Sequence, residues 1–170
     1  MKASEAGSAG AVARELAVRV HTLLQAGGRT VAVAESLTGG LVAAALTDIP
    51  GASASFRGGV VSYATELKAR LLGVDAGLLA RHGAVHPHVA TSMAEGVRSR
   101  LGASFGLATT GVAGPEPQDG QPVGTVHIAV SAAGDTVVRT IALSGNRADI
   151  RRLTVEQALG LLLGRLGEES

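Results

Sequence analysis

Apolar positions recur along this chain in two rhythms. From Ala11 to Gln25, Val12, Leu16, Val20, Leu23 and Leu24 fall at helical spacing, with Glu15 and Arg19 four residues apart, and Gly27-Gly28 stops the run. Thr30 to Ala34 is a short apolar run of strand character. The pattern then breaks at Glu35-Ser36-Leu37-Thr38-Gly39-Gly40 and resumes as a helix from Thr38 or Gly39 to Thr47. Ser53 to Gly59 is expected to be loop and Gly59 to Tyr63 a second strand. Three helices follow, at Thr65 to Leu72 with Thr65 as its cap, Asp75 to His82, and Pro87 to Leu101. Phe105 to Thr109 is a third strand, leading into the glycine corner Thr110 to Pro115 and a polar loop, Glu116 to Gln121. Gly124 to Val130 and Thr136 to Leu143 alternate around Ala133-Gly134-Asp135 and predict a hairpin. A last helix is expected over Asp149 to Leu166.

Strands alternating with helices, with a hairpin late in the chain, predict an α/β domain. Its sheet should be mixed and mainly parallel, with about five strands and one antiparallel. Residues 10–170 are expected to be one domain and residues 1–9 to be disordered.

Composition narrows the function classes. The chain has 170 residues and is 46% apolar, with a net charge of +1 and only two Phe and one Tyr. Neither a basic footprint for nucleic acid or membrane nor a base-stacking surface is expected. The absence of Cys removes disulfides, thiolate metal sites and a Cys nucleophile. No signal-peptide core and no membrane-length apolar run stands out, so a soluble, cytoplasmic protein is expected.

The chemistry concentrates at the polar corners. A strand, a polar turn and a helix place Ser36 at the carboxyl edge of a parallel sheet, beside a helix N-terminus that favours developing negative charge. Ser36 is a candidate nucleophile; Ser and Thr before a helix also serve as N-caps, and Gly39-Gly40 as a plain turn. Amide hydrolysis at Ser36 would draw on backbone N–H groups near Thr38, Gly39 and Gly40. Lys68 is the candidate base, because a buried Lys loses its proton readily. It is the only lysine besides Lys2 in a chain that otherwise uses Arg. The competing reading is a solvated surface lysine. Tyr63 either relays a proton or is an aromatic at the edge of the core with a wet hydroxyl. Glu35 is an acid/base candidate or, preferably, fixes the corner through backbone N–H groups. Thr110, Gly111, Ala113 and Gly114 either cradle a phosphate or ribose or make a tight strand exit. Arg147 either binds a phosphate or starts the last helix. His82, His86, His88, His21 and His127 do not form a metal set, although His86 and His88 have a possible ligand spacing.

These motifs together resemble the CinA C-terminal domain family, which includes stand-alone nicotinamide-nucleotide amidases. The resemblance rests on Glu35 to Gly40, Gly58 to Lys68, Leu71 to Val74, His82 to Val85, Thr110 to Pro115, Pro122 to Val126 and Ser144 to Arg147, in order, over about residues 10–166. It implies a three-layer α/β/α fold and hydrolysis of nicotinamide mononucleotide to nicotinate mononucleotide and ammonia. Ser36 is then the nucleophile and Lys68 its base, with Tyr63 at the family tyrosine. No cofactor or metal is implied; the partner is a small nucleotide substrate, and homo-oligomers are common. The chain departs from the family pattern at Thr65, His86, Gln121 and Asn146, positions that bear on substrate binding. The rival expectation is a non-catalytic nucleotide-binding module in a competence or DNA-damage response.

Overall fold

In the computed structural model, residues 2–168 are described, with side chains from Gly10 to Gly167. The elements run α1 (Lys2–Ala26), β1 (Val31–Glu35), α2 (Leu41–Thr47), a 3-10 turn (Ala52–Ala54), β2 (Phe56–Val61), α3 (Thr65–Leu72), α4 (Ala76–His82), α5 (Pro87–Leu101), β3 (Phe105–Gly111), β4 (Thr125–Ala132), β5 (Asp135–Ala142) and α6 (Arg147–Glu168). The strands form one open sheet in the order β2-β1-β3-β4-β5. β1 pairs parallel with β2 and β3, whereas β4 pairs antiparallel with β3 and β5. Only β4 therefore runs against the rest, the mixed, mainly parallel sheet expected.

Strand alternation builds two cores on the two faces of this sheet. Val31 and Val33 of β1, Phe105 and Leu107 of β3, and Val126 and Ile128 of β4 point to a layer made by α1, α2 and α6. Ala32, Ala34, Ala108 and Ala129 point the other way, under Val89, Met93 and Val97 of α5. The second face is built of small residues, so α5 lies close to the backbone. A Cβ on Gly106 of β3 would sit 2.0 Å from the Ala94 carbonyl oxygen, and one on Gly96 of α5 would sit 2.0 Å from that of Leu72.

Four expectations need correction. α1 begins at Lys2 rather than Ala11, and no proline interrupts the added residues. β2 begins at Phe56 inside the expected loop, because its backbone pairs with β1 despite Arg57 and Gly58. Thr65 is not the cap of α3: Ala64 holds that position without a side-chain hydrogen bond. β3 extends to Gly111, so Thr110 and Gly111 belong to the strand and not to the loop after it.

The chain visits β1, then β2 on one side, then β3 on the other. The order of the strands reverses at β1, the place where open α/β sheets leave a crevice at their carboxyl ends.

Candidate active site

Three strand ends converge at that crevice. Ser36 follows β1, and its N–H donates to Thr109 O of β3 at 3.1 Å. Ser62 follows β2, and its N–H donates to Glu35 O at 3.0 Å. The cleft is lined by Ser36 and Leu37, by Tyr63, by Ala84 and Val85, by Thr110 to Gly114, by Glu116 and Gln118, and by Arg147.

Lys68 enters from below. Its side chain is fully buried, and Nζ donates to Ser36 Oγ at 3.1 Å and to Ser62 O at 2.6 Å. Burial pushes its pKa down from 10.5 to about 8, against the opposing charges of Asp119 and Glu66. The Ser62 hydroxyl is buried without a hydrogen-bond partner. In the sequence α2, the 3-10 turn and β2 lie between Ser36 and Lys68, and the β1-β2 pairing brings them together. Ser36 itself is 9% exposed, open only to the cleft.

Glu35 takes the structural role preferred from sequence. Its two carboxylate oxygens accept from Val42 N at 2.8 Å and Ala43 N at 3.0 Å, closing the first turn of α2. The next residues serve the same turn. Thr38 is fully buried, with Oγ1 2.8 Å from Thr109 Oγ1. Gly39 and Gly40 have φ of 57° and 105°, and the Gly39 N–H donates back to Ser36 O at 3.0 Å. Thr38, Gly39 and Gly40 lie outside the cleft lining. The contacts of Glu35, Thr38 and Gly39, with the positive φ of Gly39 and Gly40, fix the turn on which Ser36 sits. Arg151 of α6 locks that turn from outside, donating to Leu37 O at 2.9 Å and Thr38 O at 3.1 Å.

The hydrogen bond of Tyr63 goes to Arg147, not to Lys68. The residue is 57% exposed, and its hydroxyl accepts from Arg147 Nη2 at 2.7 Å. Arg147 Nη1 donates to Gly114 O at 2.7 Å, so Tyr63, Arg147 and Gly114 form a polar rim over the crevice. Thr110 faces the cleft but directs its hydroxyl to Ala84 O at 2.8 Å. Three of the departures from the family pattern make local structural contacts. Asn146 caps α6, accepting from Ala148 N and Asp149 N at 2.9 and 3.1 Å. His86 caps α5, with Nδ1 accepting from His88 N at 3.2 Å. Gln121 pairs with Gln118 through its backbone. Among the described residues, no three His, Cys, Asp or Glu side chains are grouped to hold a metal.

The sequence reading gave no role to Arg151, Asp119, Glu116 and Gln118, and named Ala84 and Val85 only within the motif His82 to Val85. Arg151 had a signal, since it lies one helical turn beyond Arg147. Glu116, Gln118 and Asp119 sit in a segment whose polarity looks like ordinary loop, and Ala84 and Val85 are apolar residues without reactive groups.

The comparisons agree with this architecture. A CinA-like protein of Frankia casuarinae is 62% identical over 133 residues, which are 78% of this chain and 31% of that protein. A putative competence-damage inducible protein of Desulforamulus reducens is 52% identical over 140 residues, 82% of this chain and 34% of that one. The chain spans about a third of the length of these curated relatives. Among solved structures, the competence/damage inducible protein CihA from Agrobacterium tumefaciens superposes with a TM-score of 0.88 at 40% identity, covering 92% of this chain and 96% of that one. A CinA superfamily protein from Klebsiella pneumoniae gives 0.89 at 34% identity, covering 92% and 98%. With the family model matching residues 13–166, this chain belongs to the CinA C-terminal domain family.

Proposed function

We propose that this protein is an amidohydrolase that converts nicotinamide mononucleotide to nicotinate mononucleotide and ammonia. The observation that carries the reading is a fully buried Lys68 Nζ, 3.1 Å from the hydroxyl of a serine that opens only into a cleft. Neutral Lys68 takes the proton from Ser36 Oγ, which attacks the carboxamide carbon. The bonds within the turn and strand leave over the N–H groups of Leu37, next to the nucleophile, and Ala113, on the facing wall. These are the donors for the oxyanion, each worth roughly 3–4 kcal/mol in such a site. Lys68 returns the proton to the leaving ammonia. A water, deprotonated by Lys68, then cleaves the serine ester and releases the acid. Arg147, held by Tyr63 and Gly114 but with further N–H groups to offer, meets the 5′-phosphate at the rim.

The test is release of ammonia and nicotinate mononucleotide by the purified protein. Ser36→Ala and Lys68→Ala should each lower turnover by a factor of about a thousand or more, with the fold retained. Because only neutral Lys68 accepts a proton, kcat/KM should rise with pH and level off above about 8. Turnover that survives Ser36→Ala would remove the nucleophile from this scheme.

The names of the relatives, which refer to competence and damage, favour a second reading: a nucleotide-binding module of such a response. Tight binding of the nucleotide by a folded protein that releases no ammonia would select it.

A further inference from the structure

The loop between β3 and β4 carries Glu116 and Gln118 into the cleft wall, and Asp119 fastens it there. Asp119 Oδ2 accepts from Ala84 N at 2.7 Å and from Val85 N at 3.3 Å. Ala84 and Val85 are themselves cleft residues, and Thr110 ties the same corner to β3 through Ala84 O at 2.8 Å. The Gly83-Ala84-Val85 corner thus meets the end of β3 and the loop after it on one carboxylate and one hydroxyl.

The backbone is shaped for this contact. Asp119 has a φ of 52°, and among the described residues it is the only non-glycine residue at positive φ. A carboxylate held by two N–H groups offsets the roughly 1–3 kcal/mol such a conformation costs. On the other side stands Gly83, with a φ of 72°. A Cβ there would lie 2.2 Å from Asp119 Cγ, so the carboxylate fits only against a glycine.

We propose, resting on the amidase reading, that Asp119 is a positioning residue of this site: its carboxylate clamps the loop bearing Glu116 and Gln118 onto the Gly83-Ala84-Val85 corner and so fixes the wall that receives the substrate ring. The clamp also places a negative charge within reach of Lys68, where it opposes the effect of burial. The same residue therefore links the shape of the pocket to the proton affinity of the base.

The test needs readouts in the free protein as well as turnover. The chain has only two lysines, Lys2 and Lys68, so a protein labelled with 13C at lysine Cε gives two assignable signals. Amide exchange at Ala84 and Val85 reports the clamp directly. Asp119→Ala should speed exchange at both amides by about tenfold or more, raise KM by a similar factor with a smaller effect on kcat, and move the Lys68 titration below that of the parent. Asp119→Asn keeps an acceptor of the same shape and loses the charge. It should restore much of the amide protection and KM while leaving the Lys68 titration low. A merely structural residue would not separate these two effects. Unchanged exchange at Ala84 and Val85 in folded Asp119→Ala, or an unchanged Lys68 titration in Asp119→Asn, would overturn the proposal. Loss of the amidase reading looks different: the parent protein would show no turnover, while exchange and titration still respond to Asp119.

Discussion

Burial of Lys68 is costly, and the cost has a signature in pH. Below about pH 8 the amine is charged in both the folded and the unfolded chain, so folding must bury the charge. Between about 8 and 10.5 it is neutral when folded and still charged when unfolded. The unfolded chain then binds the extra proton, and stability rises with pH across that window, by about 3 kcal/mol in all. Lys68→Met lacks this slope. Denaturant unfolding on either side of the window should show the wild type gaining on the variant as pH rises; parallel curves would mean that Lys68 titrates normally. The scarcity of lysine made Lys68 visible in the sequence, but the partner of Tyr63 was not. That partner, Arg147, lies 84 positions away on the last helix, and only the packing of α6 over the strand ends brings them together.

At the scale of elements, the corner after β1 depends on a carboxylate serving two amides of α2. Glu35→Gln retains one acceptor and turns an N–H₂ group toward donors, so it should destabilise the fold by about 1–2 kcal/mol and lower turnover through a displaced Ser36. A thermal melt together with the amidase assay checks both effects. The seat of α5 on the sheet is as demanding. Gly106→Ala drives a methyl group into the Ala94 carbonyl, and we expect a loss of about 2–3 kcal/mol or failure to fold. A melt close to that of the wild type would show that α5 can move away. α5 itself was legible from end to end, because Pro87 opens it and its apolar face is continuous. The start of β2 was not legible: Arg57 and Gly58 carry no strand signal, and the pairing comes from the neighbouring backbone of β1. The same holds for the cleft walls, where the Asp119 carboxylate accepts from the main-chain amides of Ala84 and Val85, a contact that no side-chain pattern announces.

Across the whole molecule, the layer of α4 and α5 gathers imidazoles. His86 stacks on His82 with ring centres 4.5 Å apart and meets His88 at 5.1 Å. Burial, and then the neighbouring histidines, lower the pKa of His86; burial, and then His86, lower that of His127 on β4. Both groups are held neutral by the fold, so their contribution is complete above the ordinary value of 6.5 and is lost as pH falls through the lowered values. Stability should fall on acidification below that value. His86→Ser, which keeps a capping oxygen and removes the central ring, should flatten the fall; an equally acid-labile variant would clear the cluster of responsibility. The overall architecture was readable from the alternation of strands and helices, while this meeting of three elements was not, since His127 comes from a strand 41 positions beyond His86. The rim of the cleft has an optical consequence as well. The chain has no tryptophan and a single tyrosine, and that tyrosine is Tyr63, bonded to Arg147 at the mouth of the crevice. The near-ultraviolet emission of the whole protein thus originates at one phenol, and a ligand that draws Arg147 away changes the light without any label.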